Sequence, residues 1–353
     1  MSPCSPHPAR SPRLALTRWL ALLALLAAAA LCAPAAWAAT TCSASSPTAL
    51  AFGTVSTTGS TDTSVTFDVT CNTFGLAVLA NAKVRMCLNI TDGASGGGNV
   101  APRRMLNSFS DPLQFQLYTD AARSQVWGAT GLSGAPNPAQ LDFDYSVPVL
   151  GGSQTLSITL YGRVPAQTFT AGSYANAFTG AYTSIDFRYA ETLLGTATYP
   201  PSCTSGGDGG DSFGNAFPFT ATADVPAECR AYAVSDLAFG TIPGLISANV
   251  DQDTTFSMTC TGRTAWNVGL DDGLNASGSV RRMRLGAGSD HVAYELYTTG
   301  ARTVRWGNTI GTDTVTGTGT GSAQSLVVHG RIPAPQSVPA GSYSDTVTVT
   351  ITY

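Results

Sequence analysis

The stretch VTVTITY, residues 347–353, alternates valine, isoleucine and tyrosine with threonine, and it closely follows the tetrapeptide AGSY at 340–343. An apolar–polar alternation with a period of two is typical of a β-strand that buries one face. AGSY also occurs at 171–174, and the alternating run IDFRY follows it at 185–189. The shared order of motif and strand indicates that the chain contains two copies of one β-domain.

The repeat extends through short motifs that occur in the same order in both halves. The first set is Cys42, LAFG 50–53, TC 70–71, RRM 103–105, LY 117–118, WG 127–128, GRVPA 162–166 and AGSY 171–174. The second set is Cys229, LAFG 237–240, TC 259–260, RRM 281–283, LY 296–297, WG 306–307, GRIPA 330–334 and AGSY 340–343. Because no stretch after the N-terminal segment has helical periodicity, we predict an all-β fold of two immunoglobulin-like β-sandwich domains.

The two copies differ at their C-terminal ends. In the first copy we predict seven strands, A to G, at 48–55, 63–71, 83–91, 113–119, 155–161, 178–189 and 217–225. The second copy matches strands A to F, and its sequence reaches Tyr353 without a counterpart of G. A sandwich that lacks its last strand has an open apolar edge, which another chain must fill. We therefore expect a donor-strand groove lined by Val347, Val349, Ile351 and Tyr353.

The N-terminal segment, residues 1–38, is predicted to be a secretory signal peptide. Three arginines precede an apolar run in it, and Ala36-Trp37-Ala38 fits a cleavage site. Loss of three arginines and no acidic residue would change the formal charge from −4 to −7. This acidic balance argues against nucleic acid as a partner. The domains are then expected at 39–226, an N-terminal domain with a complete sandwich, and at 227–353, an incomplete C-terminal domain that accepts a donor strand.

Six cysteines remain after the signal segment, an even number that suggests disulfides in an exported protein. Cys42 with Cys71, and Cys229 with Cys260, occupy matching repeat positions, so each pair is predicted to bridge within its own domain. Cys87 and Cys203 have no counterparts in the second copy, so we expect them to pair with each other. Metal binding is a weaker alternative, because the sequence has no CxxC motif.

The first copy is longer than the second in three connections, and the additional residues include many apolar side chains. The candidate surface-binding residues are Phe74, Leu76, Val78, Leu79, Phe143, Tyr145, Val147, Val149, Leu150, Leu193, Leu194 and Tyr199. If the strands alternate in direction, these connections share the end of the sandwich farthest from the second domain. Because monomers seldom expose large apolar patches without a binding reason, we expect these loops to contact a surface.

The repeated motifs resemble the spore coat protein U domain, and the resemblance covers both domains. It implies a subunit of archaic, Csu-type chaperone–usher pili, whose domains lack strand G. A periplasmic chaperone would first supply the strand, an outer-membrane usher would direct assembly, and an adjacent pilin subunit would then donate its N-terminal extension. Two-domain members look like tip adhesins. The expected mature chain has three residues before Cys42, too few for a donor strand, as expected for a tip subunit.

The sequence therefore predicts a pilus tip subunit at the cell surface that mediates attachment to an abiotic or host surface and biofilm formation. The alternatives are a lectin-like adhesin for a host glycan and a structural coat or pilus component without a ligand. No enzyme, cofactor or metal site is expected, because His291 and His329 have no nucleophile partner. Arg103, Arg104, Arg281 and Arg282 of the RRM motifs are expected to be structural, because they recur in both copies.

Overall fold

The computed structural model describes residues 39–74, 80–193, 195–242 and 245–353. The described chain forms β-strands and one short 3-10 turn at Gly180–Tyr182, which confirms the all-β fold. Within these ranges no helix is long and apolar enough to cross a membrane. The predicted signal peptide, residues 1–38, lies outside the described residues, as do Leu76, Val78, Leu79 and Leu194.

The first copy of the repeat folds into two sheets. Its strands are β1 Ala39–Ala44, β2 Leu50–Thr54, β3 Thr61–Phe74, β4 Ala80–Ile90, β5 Arg103–Leu106, β6 Pro112–Tyr118, β7 Ala139–Val147, β8 Gly152–Val164, β9 Gly172–Phe178, β10 Thr183–Thr192, β11 Gly209–Gly214 and β12 Phe219–Val225. One sheet has the order β1-β3-β8-β6-β5-β9-β12-β2, and the other has the order β11-β10-β4-β7. The predicted strand G is present as β12, between β9 and β2.

The alternation of β3 shows how the sequence builds this sandwich. Phe67 and Val69 are buried, and Phe67 stacks on Phe217 with ring centroids 5.3 Å apart. The intervening Thr66 and Thr70 face outward and share hydroxyl hydrogen bonds with threonines of β8. One face of the strand therefore belongs to the core, while the other is a polar surface.

The second copy repeats this plan with shorter strands. They are β13 Cys229–Val234, β14 Leu245–Ile246, β15 Val250–Cys260, β16 Ala265–Leu270, β17 Arg281–Leu285, β18 His291–Tyr297, β19 Val315–Thr318, β20 Ala323–Ile332, β21 Gln336–Ser337, β22 Tyr343–Ser344 and β23 Val349–Thr352. The main sheet has the order β13-β15-β20-β18-β17-β22, the facing sheet has the order β19-β16-β23, and β14 pairs with β21. A separate apolar core fills this domain.

Three disulfides link the cysteines in the pairs expected from the sequence. Cys42–Cys71 joins β1 to β3, and Cys229–Cys260 joins β13 to β15. Cys87–Cys203 joins β4 to the segment before β11. In the described part of the chain, no group of three His, Cys, Asp or Glu side chains could hold a metal ion.

The two copies contact each other beside the segment that joins them. The amide of Gly262 donates to the carbonyl of Phe169, and its own carbonyl accepts from the amide of Ala171, both over 2.8 Å. The Arg263 guanidinium donates two hydrogen bonds, of 2.5 and 3.0 Å, to the Asp111 carboxylate across the junction. Main-chain and side-chain contacts therefore both tie the second domain to the first.

Candidate binding tip and acceptor groove

Four large, exposed apolar side chains lie together at one end of the first domain. Phe74 is 71% exposed, Val149 51%, Leu150 72% and Leu193 62%. We call these four residues the tip. Strand register brings them together, because Thr73 pairs with Gly152, Ala80 with Val147, and Asn81 with Thr192. The strand ends that flank the three connections therefore lie at the same end of the sandwich, as the alternating strand directions predict.

The tip lies at the far end of the first domain from the second domain. It begins at Phe74, the last residue of β3, whereas the carbonyl of Thr57, just before this strand, accepts a hydrogen bond from Arg230 of the second domain. β3 has 14 residues, so its ends are roughly 45 Å apart at 3.3 Å per residue. The tip is therefore free of contacts with the other domain.

Leu150 lies in a strained turn at the tip. Its φ angle of 92° is unusual for a residue with a side chain, and the following Gly151 has a φ of 112°. The Gly151 amide donates to the carbonyl of Pro148 over 2.9 Å, which closes the turn. A Cβ on Gly151 would come within 2.6 Å of the Thr73 carbonyl oxygen, so the turn lies tightly against β3. The strain holds a large apolar side chain in solvent, where it gains nothing for folding.

Below the tip, a chain of hydrogen bonds joins polar side chains from four strands. The Thr40 hydroxyl donates to the Glu191 carboxylate over 2.7 Å and shares a 2.5 Å hydrogen bond with the Thr73 hydroxyl. Thr73 in turn shares a 2.8 Å hydrogen bond with the Tyr145 hydroxyl. Burial raises the pKa of Glu191, and the Thr40 hydrogen bond acts in the opposite direction. The network is satisfied internally, so it supports the connections that carry the tip.

Three of the predicted surface residues are instead in the core. Phe143 and Val147 are completely buried and Tyr145 is nearly so, because β7 pairs with β4 and turns this face inward. The prediction that they lie on an exposed loop is therefore wrong. Tyr199 is half-buried on the outside of β4, where Lys83 lies 4.6 Å from its ring centroid. It is therefore separate from the tip.

The second domain contains an open groove of about 450 Å³. Its apolar lining includes Leu237, Phe239, Leu270, Met283, Leu296, Val328, Val347 and Val349, and its polar lining includes Tyr294 and Asp345. The Tyr294 hydroxyl donates to the Asp345 carboxylate over 2.8 Å, and burial and this carboxylate raise the pKa of Tyr294. Of the four residues predicted to line the groove, Val347 and Val349 do so. Ile351 and Tyr353 are not lining residues; Ile351 lies farther along β23, where it pairs with Val268 of the facing sheet.

The groove occupies the position that β12 fills in the first domain. There, Leu50 and Phe52 pack closely on Gly162, and in the second domain Leu237 and Phe239 pack in the same way on Gly330. In the first domain β12 lies between β9 and this Leu–Phe segment. Within the described residues, the corresponding sheet of the second domain ends at β22, and 237–240 belongs to no strand. The sequence could not show Tyr294 and Asp345 as groove residues, because their proximity depends on the folded sheet.

Comparisons with known proteins agree with the internal repeat. The family model of the Spore Coat Protein U domain matches residues 27–181 and 190–350. Protein U of Myxococcus xanthus is 29% identical over 197 residues, which cover 56% of this chain and 92% of that protein.

Two solved structures resemble the fold. One is a chain of the CsuC–CsuE chaperone–tip adhesion subunit pre-assembly complex of archaic chaperone–usher Csu pili from Acinetobacter baumannii, with 18% identity, 89% of this chain and 100% of that chain covered, and a TM-score of 0.48. The other is the CupB6 tip adhesin of Pseudomonas aeruginosa, with 12% identity, 88% and 93% covered, and a TM-score of 0.31. The family match spans well over half of the sequence in two successive copies, and the chain belongs to the Spore Coat Protein U domain family.

Proposed function

We propose that this protein is a pilus tip adhesin, exported to the cell surface, that promotes biofilm formation by attaching to abiotic or host surfaces. The observation that carries the proposal is the tip, where Phe74, Val149, Leu150 and Leu193 are exposed together at the free end of the first domain. An exposed apolar patch on a soluble domain is typical of an interaction site. The strained turn at Leu150 supports the same function, because strain that does not help folding is typical of functional sites.

The attachment would be hydrophobic. A partly buried apolar side chain gains about 1 kcal/mol on a surface, so the four tip residues give only weak binding per molecule. Many pili on one cell would combine these contacts through avidity. Because none of the four side chains carries a charge, attachment should depend only weakly on salt.

The groove would join the adhesin to its fibre. β12 of the first domain supports this function, because it shows that the fold accepts a strand in the corresponding position. We propose that a periplasmic chaperone fills the groove during export, that an outer-membrane usher receives the complex, and that an adjacent pilin subunit then donates the permanent strand. A backbone ladder combined with buried side chains is the general chemistry of such strand addition.

Attachment of piliated cells to polystyrene tests the proposed adhesion. In one variant, serine replaces all four tip residues, Phe74, Val149, Leu150 and Leu193. We expect the number of attached cells to fall at least about tenfold, because four contacts are lost on each pilus and avidity multiplies the effect. The matched control replaces four exposed apolar residues of the second domain outside the groove, namely Leu274, Val280, Val304 and Ile310, with serine. Immunolabelling should show equal numbers of pili in both strains.

Two results would contradict the hydrophobic tip. One is normal attachment by the tip variant when pili are assembled. The other is inhibition of the parent strain by a single free sugar, which would favour a lectin-like adhesin. Equal loss in the tip variant and in the control variant would indicate a general effect on the surface rather than a binding site.

A further inference from the structure

In the first domain, one strand pair continues through both sheets of the sandwich. The chain forms β9 in one sheet and, after the short turn at Gly180–Tyr182, β10 in the other. The partner segment makes the same crossing, because β11 pairs antiparallel with β10 and β12 pairs antiparallel with β9. Residues 209–225 therefore run alongside residues 172–192, in the antiparallel direction, through both sheets of the sandwich.

Among the described residues, the second domain has the first member of this pair without the second. β22 lies in the main sheet and pairs with β17, whereas β23 lies in the facing sheet and pairs with β16. Both are terminal strands of their sheets among the described residues. The open edge therefore extends beyond the groove, from Gly341 beside β22 to Thr352 at the end of β23.

We propose that the partner of the second domain is an extended, antiparallel segment that completes both sheets. This inference rests on the proposed function of the groove and extends it. Because antiparallel strands pair residue for residue, the open edge from 341 to 352 accommodates about twelve residues. The C-terminal part of the segment fills the groove beside β22, and its N-terminal part adds a strand to β23.

The packing of β12 indicates which side chains the C-terminal part carries. Ala221 and Ala223 are buried opposite Asn176 and Tyr174, whose side chains occupy the available space. Tyr343 repeats the arrangement of Tyr174, since each hydroxyl donates to the carbonyl four residues earlier, over 2.9 and 2.7 Å. The partner residue opposite Tyr343 is therefore small.

A larger side chain fits four residues earlier in the partner segment. In the first domain Phe219 stacks on Phe178, with ring centroids 4.6 Å apart. Asp345 replaces Asn176, because each lies against a glycine that follows an aspartate, Gly273 and Gly93. Two residues later, Val347 takes the place of Phe178 and leaves more room, so the partner residue opposite it is a large apolar one.

The charges of the groove favour a basic partner. Its charged lining residues, Asp236 and Asp345, are both acidic, and no lysine or arginine is among the described lining residues. Leu237, next to Asp236, corresponds to Leu50, which pairs with Ala221 of β12. A lysine at the position of Thr220 in the partner would therefore lie near Asp236. The N-terminal part is polar, since β11 is mostly exposed in the first domain.

Synthetic peptides added to the full chain test this inference. The long peptide has the sequence of residues 211–225, and the short peptide has that of 217–225. We expect the long peptide to bind at least about tenfold more tightly and to protect the amides of residues 349–352 from hydrogen exchange, which the short peptide leaves unprotected. In the long peptide, Ala223→Phe should weaken binding at least about tenfold, and Thr220→Lys should strengthen it at low salt.

Each outcome decides between the two proposals. Equal affinity and equal protection by the long and short peptides would overturn the completion of both sheets and leave the groove function intact. Failure of both peptides would overturn the inference, while the attachment assay would still decide the adhesive function. A stable dimer that peptides do not dissociate, measured by light scattering, would identify a second copy as the occupant and overturn it too. If the chain is soluble only with a bound strand, the refolding yield with each peptide replaces the affinity.

Discussion

Arg281 donates a hydrogen bond of 2.8 Å from Nη2 to the main-chain carbonyl of Trp306, and Arg103 makes the equivalent 2.8 Å bond to Trp127. Both arginine side chains are fully buried. Arg103 also donates to the carbonyls of Ile90 and Thr91, which lie at the end of β4. Burial lowers the pKa of Arg103 to about 9, so the group remains charged at neutral pH. The first arginine of each RRM motif therefore stabilises the fold.

Replacing Arg103 with methionine should strongly destabilise the first domain. The variant leaves the carbonyls of Ile90, Thr91 and Trp127 without this donor, and each buried unsatisfied group costs about 1–3 kcal/mol. We expect a loss of at least about 3 kcal/mol in urea unfolding. Arg104→Met is the matched control, because Arg104 is half-buried and its Nε donates to the carbonyl oxygen of Ser95, which is also half-buried. A loss below about 1 kcal/mol for Arg103→Met would contradict this structural role.

Replacing Leu150 with glycine should separate stability from attachment. Glycine adopts positive φ without strain, whereas Leu150 is held at 92°. Relief of strain exceeds the entropic cost of glycine, so we expect a gain of up to about 1 kcal/mol in the free energy of unfolding. Attachment to polystyrene should fall, because an exposed apolar side chain is lost. Val149→Ala should reduce attachment without this gain; a destabilised Leu150→Gly variant would show that the turn is not strained.

The fold was largely predictable from the sequence, because two copies of each motif supplied an internal comparison. The counterparts Cys229 and Cys260 predict the pairing of Cys42 with Cys71, and an alternating apolar run predicts β12. β7 was missed although Phe143, Tyr145 and Val147 alternate with polar residues. The connection from Trp127 to Gly162 is longer than the one from Trp306 to Gly330, so the sequence comparison predicts a loop insertion there. The burial of β7 depends instead on its pairing with β4.

The groove was predictable in kind and only partly in its residues. Strand alternation identified Val347 and Val349, but it cannot show that the chain changes sheets between β22 and β23. The same alternation extends to Ile351 and Tyr353, so the sequence predicts them as lining residues too, and the structure shows that they are not. Asp345 lies between β22 and β23, and its role depends on Tyr294, which is distant in sequence.

Glu191 should make the stability of the first domain depend on pH. Its pKa is raised in the folded state, chiefly by burial, so over a window above its ordinary value the folded protein retains a proton that the unfolded chain has lost. Stability therefore falls as pH rises through this window and is greatest below it. Glu191→Gln keeps an acceptor for Thr40 and should remove this slope, with Asp211→Asn on exposed β11 as control. Thermal unfolding from pH 4 to pH 7 measures the effect; an unchanged slope in Glu191→Gln would contradict it.

The Asp111–Arg263 ion pair should limit bending between the domains rather than determine their stability. An ion pair that solvent reaches, as here, contributes little to stability. It lies beside the Gly262 main-chain contacts, and its guanidinium lies 4.6 Å from the Phe109 ring centroid. The Arg263 hydrogen bond lowers the pKa of Asp111, so the contribution of the pair to stability is complete above the ordinary carboxylate pKa and is lost as pH falls below that value.

We expect Arg263→Ala to broaden the interdomain distance distribution measured by spin labels, while unfolding midpoints stay unchanged. Arg331→Ala removes a comparable two-bond pair with Asp251 inside the second domain and should leave the distribution as in the parent. An equally narrow distribution in Arg263→Ala would mean that the main-chain contacts alone fix the orientation of the first domain relative to the second.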